Sequence, residues 1–320
     1  PTPEDAPQAP ALLPVSDVID LDAVSAESAP RISPDDLAAF LADEVLGQER
    51  AVESLSSLLA THAARPFPRR PASALLVGPT GTGKTLLAEK AAEYLSQRTG
   101  STWSFERLDM SEFSEPHSAQ RLFGAPPGYI GYGDGKNLAA LLRGNANTVV
   151  LLDEIDKAHP SLWHSLMNLI DAGRLATQGG DVDARRAVLL FTSNKDAAAI
   201  TPLAQAPQEQ LRTFLRTHGY PPEIVGRIGQ ILVLDALPSA VVAQLVVLTI
   251  QRIAQSFGLQ AVRVAPEAVT HLLTHTSASV GVRDLEHYLD AVLGPQFAEL
   301  VGTATQAEVL ADLTVAAVTK

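Results

Sequence analysis

Residues 78–85, with the sequence Gly-Pro-Thr-Gly-Thr-Gly-Lys-Thr, have types and spacing that suit phosphate binding. They match the pattern Gly-x4-Gly-Lys-Ser/Thr, in which glycines let backbone N–H groups close around phosphate oxygens. Lys84 is expected to reach the β- and γ-phosphates, and the Thr85 hydroxyl to hold Mg²⁺. A Gly-rich turn before a helix is the alternative interpretation. The predicted nucleotide-contacting residues are Gly78, Pro79, Thr80, Gly81, Thr82, Gly83, Lys84, Thr85 and Leu86.

Two carboxylates, Asp153 and Glu154, follow the apolar run 149–152. A buried strand would carry both to the sheet edge where the phosphate loop lies. We expect Asp153 to share the Mg²⁺ with Thr85 and Glu154 to polarise the attacking water. Asn194 ends the next apolar run and is predicted to lie beside Glu154, where its amide could hold the water or the γ-phosphate. The alternatives are a strand that ends at a solvated turn and an Asn that begins one.

The elements that must position these side chains alternate along the chain. Apolar runs at 74–77, 103–108, 148–152, 188–192 and 231–234 are separated by helical stretches. This alternation predicts an α/β fold with a parallel five-stranded sheet flanked by helices and a ligand at the carboxyl ends of the strands. From 237 to 320 the pattern is mostly helical, which predicts a small lid domain with a terminal strand over 308–318.

The first thirty residues differ in composition from the rest. They hold six prolines, six acidic residues and no Lys or Arg. Such a segment cannot bury a core, so residues 1–31 are interpreted as a disordered tail or linker, with docking of residues 15–24 on a partner as the alternative. The large ATPase-like domain is expected over 32–236. It begins where Ser33 can cap a helix that has Pro34 in its first turn.

Composition limits the partners. The 320-residue chain has a net charge of −12 and no long Lys/Arg block, which argues against a nucleic-acid partner. It has no cysteine, no apolar run of membrane-spanning length and no signal peptide. The expectation is a cytoplasmic protein without a membrane partner.

Several motifs occur in the order found in one family. The sequence resembles the Clp class of AAA+ ATPases, and most closely the second ATPase ring of Clp disaggregases and unfoldases. The resemblance covers residues 32–289. Besides the phosphate loop, it rests on Val45-Leu46-Gly47-Gln48, Leu108-Asp109-Met110-Ser111-Glu112, the segment 124–132, Asp153-Glu154-Ile155-Asp156-Lys157-Ala158-His159-Pro160, Thr192-Ser193-Asn194, Pro222-Glu223 with Arg227, and Gly281-Val282-Arg283-Asp284-Leu285.

The resemblance implies a homo-oligomer, usually a hexameric ring, with ATP or ADP and Mg²⁺ between neighbouring subunits. Arg227 matches the arginine finger that reaches the nucleotide of the adjacent subunit. Arg283 matches the sensor arginine of the lid. Val45, Leu46 and Gly47 match the segment that contacts adenine.

The same resemblance assigns a task to the loop Gly128, Tyr129, Ile130 and Gly131. In the family this loop lines the central pore and pulls an unfolded or partner polypeptide through it. Taken alone, the loop would be a surface Gly-Pro turn with Tyr129 packed beside it.

The sequence departs from the family at several points. After the pore loop, Gly-Asp-Gly-Lys-Asn at 133–137 replaces the usual acidic residues and double glycine, and Gly226 and Gly229 replace residues that flank the finger. No Ile-Gly-Phe/Leu tripeptide precedes Tyr220, so a Clp-type peptidase is not an expected partner. His271 and His275 lack the Glu of a zinc hydrolase motif, and a metal site there is not predicted.

Four functions are consistent with these features. The favoured one is an ATP-driven protein unfoldase or remodelling motor. The alternatives are a remodeller dedicated to one partner, such as a secretion sheath, and a scaffold whose assembly is gated by nucleotide. A nucleic-acid motor is the least consistent with the net charge of −12.

Overall fold

The computed structural model describes residues 32–116, 122–123, 137–175, 177, 180–275 and 282–318. The tail 1–31 and the loop 128–131 lie outside these ranges, so the predictions made for them remain predictions. The strands are β1 (Ala72–Val77), β2 (Ser104–Asp109), β3 (Thr148–Asp153), β4 (Arg174–Leu175), β5 (Val182–Asp183), β6 (Val188–Ser193), β7 (Gln230–Val233), β8 (Ala261–Val264), β9 (Gln306–Val309) and β10 (Val315–Ala317).

The helices connect these strands and cover them. They are α1 (Pro34–Glu44), α2 (Glu49–Ala63), α3 (Lys84–Arg98), α4 (Leu138–Gly144), α5 (Pro160–Ala172), α6 (Ala197–Ile200), α7 (Gln208–Thr217), α8 (Pro222–Val225), α9 (Ser239–Ser256), α10 (Pro266–His275) and α11 (Val282–Leu300). Helix α1 begins as expected, because the Ser33 hydroxyl accepts a hydrogen bond from the Asp36 N–H at 3.2 Å. No helix in the described ranges is long and apolar enough to cross a membrane.

The main sheet has five parallel strands in the order β2-β3-β6-β1-β7. The predicted α/β fold with a parallel five-stranded sheet is therefore confirmed. Every residue of β1, β3 and β6 is buried. Strands covered on both faces read as continuous apolar runs, which is why the sequence located them well.

Side chains of the central strands alternate between two apolar layers. In β3, Val150 and Leu152 pack with residues of α4, α5 and α7, whereas Val149 and Leu151 pack with residues of α1, α2 and α3. All five strands run in the same direction, so their carboxyl ends meet at one edge. The loops that follow β1, β3 and β6 are neighbours there, since these three strands are adjacent in the order β3-β6-β1.

Residues from α9 onward form a third apolar cluster around Phe297, Leu289 and Ile250. This part differs from the mostly helical prediction, because it also contains a three-stranded sheet in the order β10-β9-β8. The segment predicted as one strand over 308–318 forms two antiparallel strands. A tight turn separates them: Leu313 has φ +63°, and the Asp312 carboxylate accepts from the Thr314 N–H at 3.0 Å.

Gly78, at the end of β1, touches the backbone that follows β7. A Cβ atom at this position would lie 2.5 Å from the carbonyl oxygen of Leu234. We predict that Gly78→Ala lowers the free energy of unfolding by about 1–3 kcal/mol, because backbone must move to admit the methyl group. Urea unfolding measures this change.

Gly144 provides the matched control, since a Cβ there would meet no atom within 4 Å and its φ is not positive. Gly144→Ala should leave stability unchanged or raise it slightly. Equal stability of the two variants would contradict the close approach at Gly78.

Candidate functional site

The phosphate loop lies between β1 and α3, at the carboxyl edge of the sheet. Gly81 has φ +76° and Gly83 has φ +95°, values that side chains with a Cβ adopt only under strain. Gly83 precedes α3 and provides no side-chain cap, so N–H groups of the first turn are left for a ligand. A helix start of this kind attracts anions.

Lys84 places its ammonium group inside this loop. Its Nζ donates to the carbonyl oxygens of Gly78 and Pro79, both at 2.7 Å, and the side chain is buried. The Thr82 hydroxyl donates to the same Pro79 carbonyl at 2.9 Å. The loop therefore holds its cation close to its backbone, and Thr85 follows Lys84 in the first turn of α3.

Asp153 is buried, and both of its carboxylate oxygens have partners. The Thr192 hydroxyl, from β6, donates to Oδ1. Arg107, from β2, donates to Oδ2 through Nε at 2.8 Å and Nη2 at 2.7 Å. Side chains from β2 and β6, the strands on either side of β3, thus hold the Asp153 carboxylate at the end of β3.

Glu154 has a backbone conformation that is rare for a residue with a side chain, with φ +57°. The Thr192 hydroxyl fixes it, because it accepts from the Glu154 N–H at 2.9 Å while donating to Asp153. The Glu154 carboxylate accepts from Asn194 Nδ2 at 3.1 Å and from Lys157 Nζ. Asn194 therefore lies beside Glu154, as its position in the sheet predicts.

Asn194 retains a second polar atom at this point. Its Oδ1 is buried and has no hydrogen-bond partner within the described part of the chain. A buried acceptor of this kind fits a water molecule or another polar ligand held between Glu154 and the phosphate loop. The residues at this edge therefore fit a hydrated phosphate ligand.

A buried network holds the end of β6. The Ser193 hydroxyl bonds to Asp156 Oδ1 at 2.5 Å and to the Tyr220 hydroxyl at 2.6 Å. Burial raises the pKa of Tyr220 well above its usual range, so this hydroxyl stays protonated. Because Asp156 lies two residues after Glu154, the network joins the backbone near Glu154 to that near Asn194.

The segment Val45, Leu46 and Gly47 lies between the phosphate loop and the start of α9. A Cβ at Gly83 would lie 3.0 Å from Val45, and one at Gly47 would lie 3.3 Å from Val241. Gln48 extends this connection, since its amide donates to the Asp235 carbonyl at 2.9 Å and accepts from the Asp235 N–H at 3.0 Å. The predicted adenine-contacting segment is therefore next to the loop.

Arg227 lies away from the phosphate loop of its own chain. It precedes β7, which starts at Gln230 opposite Ala74, whereas the loop follows Val77 at the other end of the same strand pair. Its Nε donates to Asp171 and its Nη1 to the Glu223 carbonyl. The structure thus does not bring Arg227 together with Lys84 or Glu154 of the same chain.

The described residues give little information on two further predictions, the sensor arginine and the pore loop. Arg283 lies in the first turn of α11, but its side chain is outside the described residues. The pore loop Gly128, Tyr129, Ile130 and Gly131 lies outside them entirely.

Three partners of the site escaped the sequence analysis: Arg107 on Asp153, Lys157 on Glu154 and Asp171 on Arg227. Strand register explains the first, because Arg107 is opposite Leu151 and shares a face with Asp153 two residues further on. An Arg in a strand of mixed polar and apolar residues was the available signal. Lys157 follows Glu154 at a spacing of three residues, but only the 3₁₀-helix Ile155–Lys157 turns it back.

Comparison with known proteins agrees with this geometry. The family described as "AAA domain (Cdc48 subfamily)" matches residues 69–231, just over half of the chain. The chaperone protein ClpB of Streptomyces albus G is 35% identical over 269 residues, which are 82% of this chain and 31% of that protein. ClpB of Lactococcus lactis subsp. cremoris (strain MG1363) is 34% identical over 274 residues, with coverage of 82% and 31%.

ClpB of Pseudomonas putida is 33% identical over 288 residues, which are 85% of this chain and 33% of the relative. The chain therefore spans about a third of the length of the curated relatives it matches. The match covers the phosphate loop, the carboxylates at the end of β3 and Asn194, all of which lie at one edge of the sheet. The chain belongs to the AAA domain family (Cdc48 subfamily) and, within it, to the Clp class of AAA+ ATPases.

Proposed function

We propose that this chain is the Mg²⁺-dependent ATPase part of a Clp-type protein-remodelling motor. The hydrogen bond between Asn194 and the Glu154 carboxylate, at the edge where the phosphate loop begins, carries this proposal. This contact supports it, because the Glu154 carboxylate and the unpartnered Asn194 Oδ1 lie at the sheet edge where the loop holds Lys84. The family and its relatives named ClpB support the same chemistry.

The phosphate loop would bind ATP through the N–H groups of residues 80–85 and through Lys84. The Lys84 ammonium now bonds to the Gly78 and Pro79 carbonyls, and phosphate oxygens would compete for the same donor. Thr85 and Asp153 would hold Mg²⁺, which supplies charge neutralisation at the phosphate oxygens. Arg107 and Thr192 keep the Asp153 carboxylate in one orientation.

Glu154 would accept a proton from the attacking water, with Asn194 orienting that water through its free acceptor. Lys157 neutralises the Glu154 carboxylate from the opposite side. The αL backbone of Glu154 aims its side chain, and the Thr192 hydroxyl holds that conformation. Water activation is therefore assigned to Glu154 after β3 and Asn194 after β6, with Lys157 of the 3₁₀-helix Ile155–Lys157 beside them.

Arg227 would act on the nucleotide of a neighbouring subunit, which is consistent with its place at the opposite sheet edge. A ring of identical subunits, six in the family, satisfies this requirement. Arg283 would report the nucleotide to a lid formed by residues 237–320, packed beside the ATPase part over 32–236. Val45, Leu46 and Gly47 would contact adenine.

The task proposed for the motor is to thread polypeptides past Tyr129. Support comes from the loop sequence Gly-Tyr-Ile-Gly and from relatives named as chaperone proteins. A Clp-type peptidase, nucleic acid and membranes are not proposed as partners. The cytoplasm stays the predicted compartment, from the absence of cysteine.

Stimulation of ATP hydrolysis by an unfolded protein tests this function. We expect casein to raise the rate several-fold, and Tyr129→Ala to abolish the increase while leaving basal hydrolysis in place. Phosphate release at a series of protein concentrations measures both and reveals any dependence on assembly. Stimulation that persists without Tyr129 would contradict threading, whereas an absence of hydrolysis in the unchanged chain would contradict the ATPase itself.

A further inference from the structure

An exposed aromatic side chain surrounded by arginines lies in residues 64–70, between α2 and β1. We call this segment the Arg–Phe loop; its sequence is Ala-Arg-Pro-Phe-Pro-Arg-Arg. Phe67 is 75% exposed, more than any other large hydrophobic side chain in the described ranges. Arg65, Arg69 and Arg70 are also exposed, and their side chains have no hydrogen bond or ion pair with another described residue. The loop thus offers one apolar contact and three unpaired cations.

The positive charge here is concentrated against the trend of the chain. The whole chain has a net charge of −12. A fourth arginine, Arg186, lies near the Arg–Phe loop, since its carbonyl bonds to His62 at 3.2 Å. Burial lowers the pKa of His62, and the charges of Arg65 and Arg186 lower it further. This surface would attract an acidic ligand.

The N-terminal segment enters the fold at the same edge. Helix α3 runs from the phosphate loop to Arg98, away from the carboxyl edge. Helix α1 runs antiparallel to it, because Glu44 at the end of α1 pairs with Lys90 in the middle of α3, whereas the earlier Phe40 contacts Tyr94 one turn further along α3. Residue 32 therefore lies at the amino edge of the sheet, where β1 begins directly after the Arg–Phe loop.

The acidic segment has the complementary chemistry. Residues 15–24 read Val-Ser-Asp-Val-Ile-Asp-Leu-Asp-Ala-Val, in which three aspartates alternate with aliphatic side chains. The seven residues from 25 to 31 can span about 23 Å when extended. Since α1 and α2 pack side by side, and packed helices lie roughly 8–10 Å apart, the loop after α2 is within reach.

We propose that residues 15–24 dock on the Arg–Phe loop of the same chain. Asp17, Asp20 and Asp22 pair with the arginines, and the aliphatic side chains cover Phe67. The contact places the acidic segment at the edge that carries Arg227, opposite the phosphate loop. It rests on charge and reach and is independent of the proposed motor function.

Cysteine cross-linking in the full chain tests this docking, because the chain has no cysteine of its own. Two double variants are compared. The loop pair combines Ala23→Cys with Ala64→Cys, in the Arg–Phe loop, and the helix pair combines Ala23→Cys with Gln97→Cys, near the far end of α3. Ala64 and Gln97 are both exposed, and the helices that carry or precede them pack against α1. If residues 15–24 had no docking site, position 23 would meet positions 64 and 97 with similar frequency.

With a short bismaleimide at low salt, we expect the loop pair to cross-link within the chain at least five-fold faster than the helix pair. Arg69→Glu with Arg70→Glu should remove this preference, whereas Arg252→Glu, an exposed reversal elsewhere, should not. High salt should weaken it. Equal rates for the two pairs would overturn the proposal. Cross-linked dimers in place of monomers would also overturn it, by assigning the segment to a second copy.

Discussion

Glu154→Gln is expected to lower ATP turnover by at least ~100-fold, the usual contribution of a general base, while nucleotide affinity stays within about two-fold. The amide keeps an oxygen that can accept from Asn194 Nδ2, now at 3.1 Å from the carboxylate. What it loses is the charge and basicity needed to take a proton from water. The phosphate loop and Asp153 keep their partners, so binding is retained.

Phosphate release measures turnover, and a fluorescent nucleotide measures affinity in the same preparation. Glu209→Gln is the matched control, because Glu209 is exposed and pairs with Arg216 on α7, remote from the loop. It should leave both quantities unchanged. Near-normal hydrolysis by Glu154→Gln would remove the water-activating role from Glu154, whereas lost binding would mean that its charge supports the loop.

The backbone conformation at residue 154 should be the same in the unchanged chain and in Glu154→Gln. A non-glycine residue in the αL region costs of order 1–3 kcal/mol, and here the Thr192 hydroxyl offsets part of it by accepting from the Glu154 N–H. Glutamine has the same shape and meets the same backbone conformation. The expected loss of turnover therefore reports side-chain chemistry and not a displaced strand end.

The sequence predicted the main sheet well because its central strands are buried on both faces. Buried parallel strands are continuous apolar runs, and the polar residues that follow β1, β3 and β6 then meet at one edge by geometry alone. The proximity of Asn194 and Glu154 follows from the same rule. No knowledge of side-chain conformation was required.

Contacts that depend on register or on rotamers were beyond sequence reasoning. The pairing of Arg107 with Asp153 requires the alignment of β2 with β3, which burial does not encode in a mixed strand. Of the sheet after α9, only one terminal strand was predicted, because β8 has four residues and β10 three, too short for alternation to be read. Asp171 lies eleven residues after Pro160 at the end of α5, and only tertiary packing brings it to Arg227.

Arg227→Ala is the second change with a large expected effect. We predict a fall in ATP turnover of roughly 10³-fold, the lower range for loss of an arginine finger, with nucleotide affinity little changed. The phosphate loop of the same chain lies at the other end of the β1–β7 pair, so truncation of Arg227 leaves that loop intact. Arg216→Ala, which removes another exposed arginine with an acidic partner, is the control and should have little effect.

Mixing two inactive variants separates action in trans from a structural role. Arg227→Ala subunits keep Glu154, and Glu154→Gln subunits keep Arg227. If Arg227 serves the adjacent subunit, a junction between the two kinds contains one complete site, and mixed assemblies should recover a measurable fraction of normal turnover. Both pure variants would stay inactive under the same conditions. If Arg227 instead stabilises its own chain through Asp171 and the Glu223 carbonyl, mixing restores nothing, because the Arg227→Ala subunits remain defective beside any neighbour.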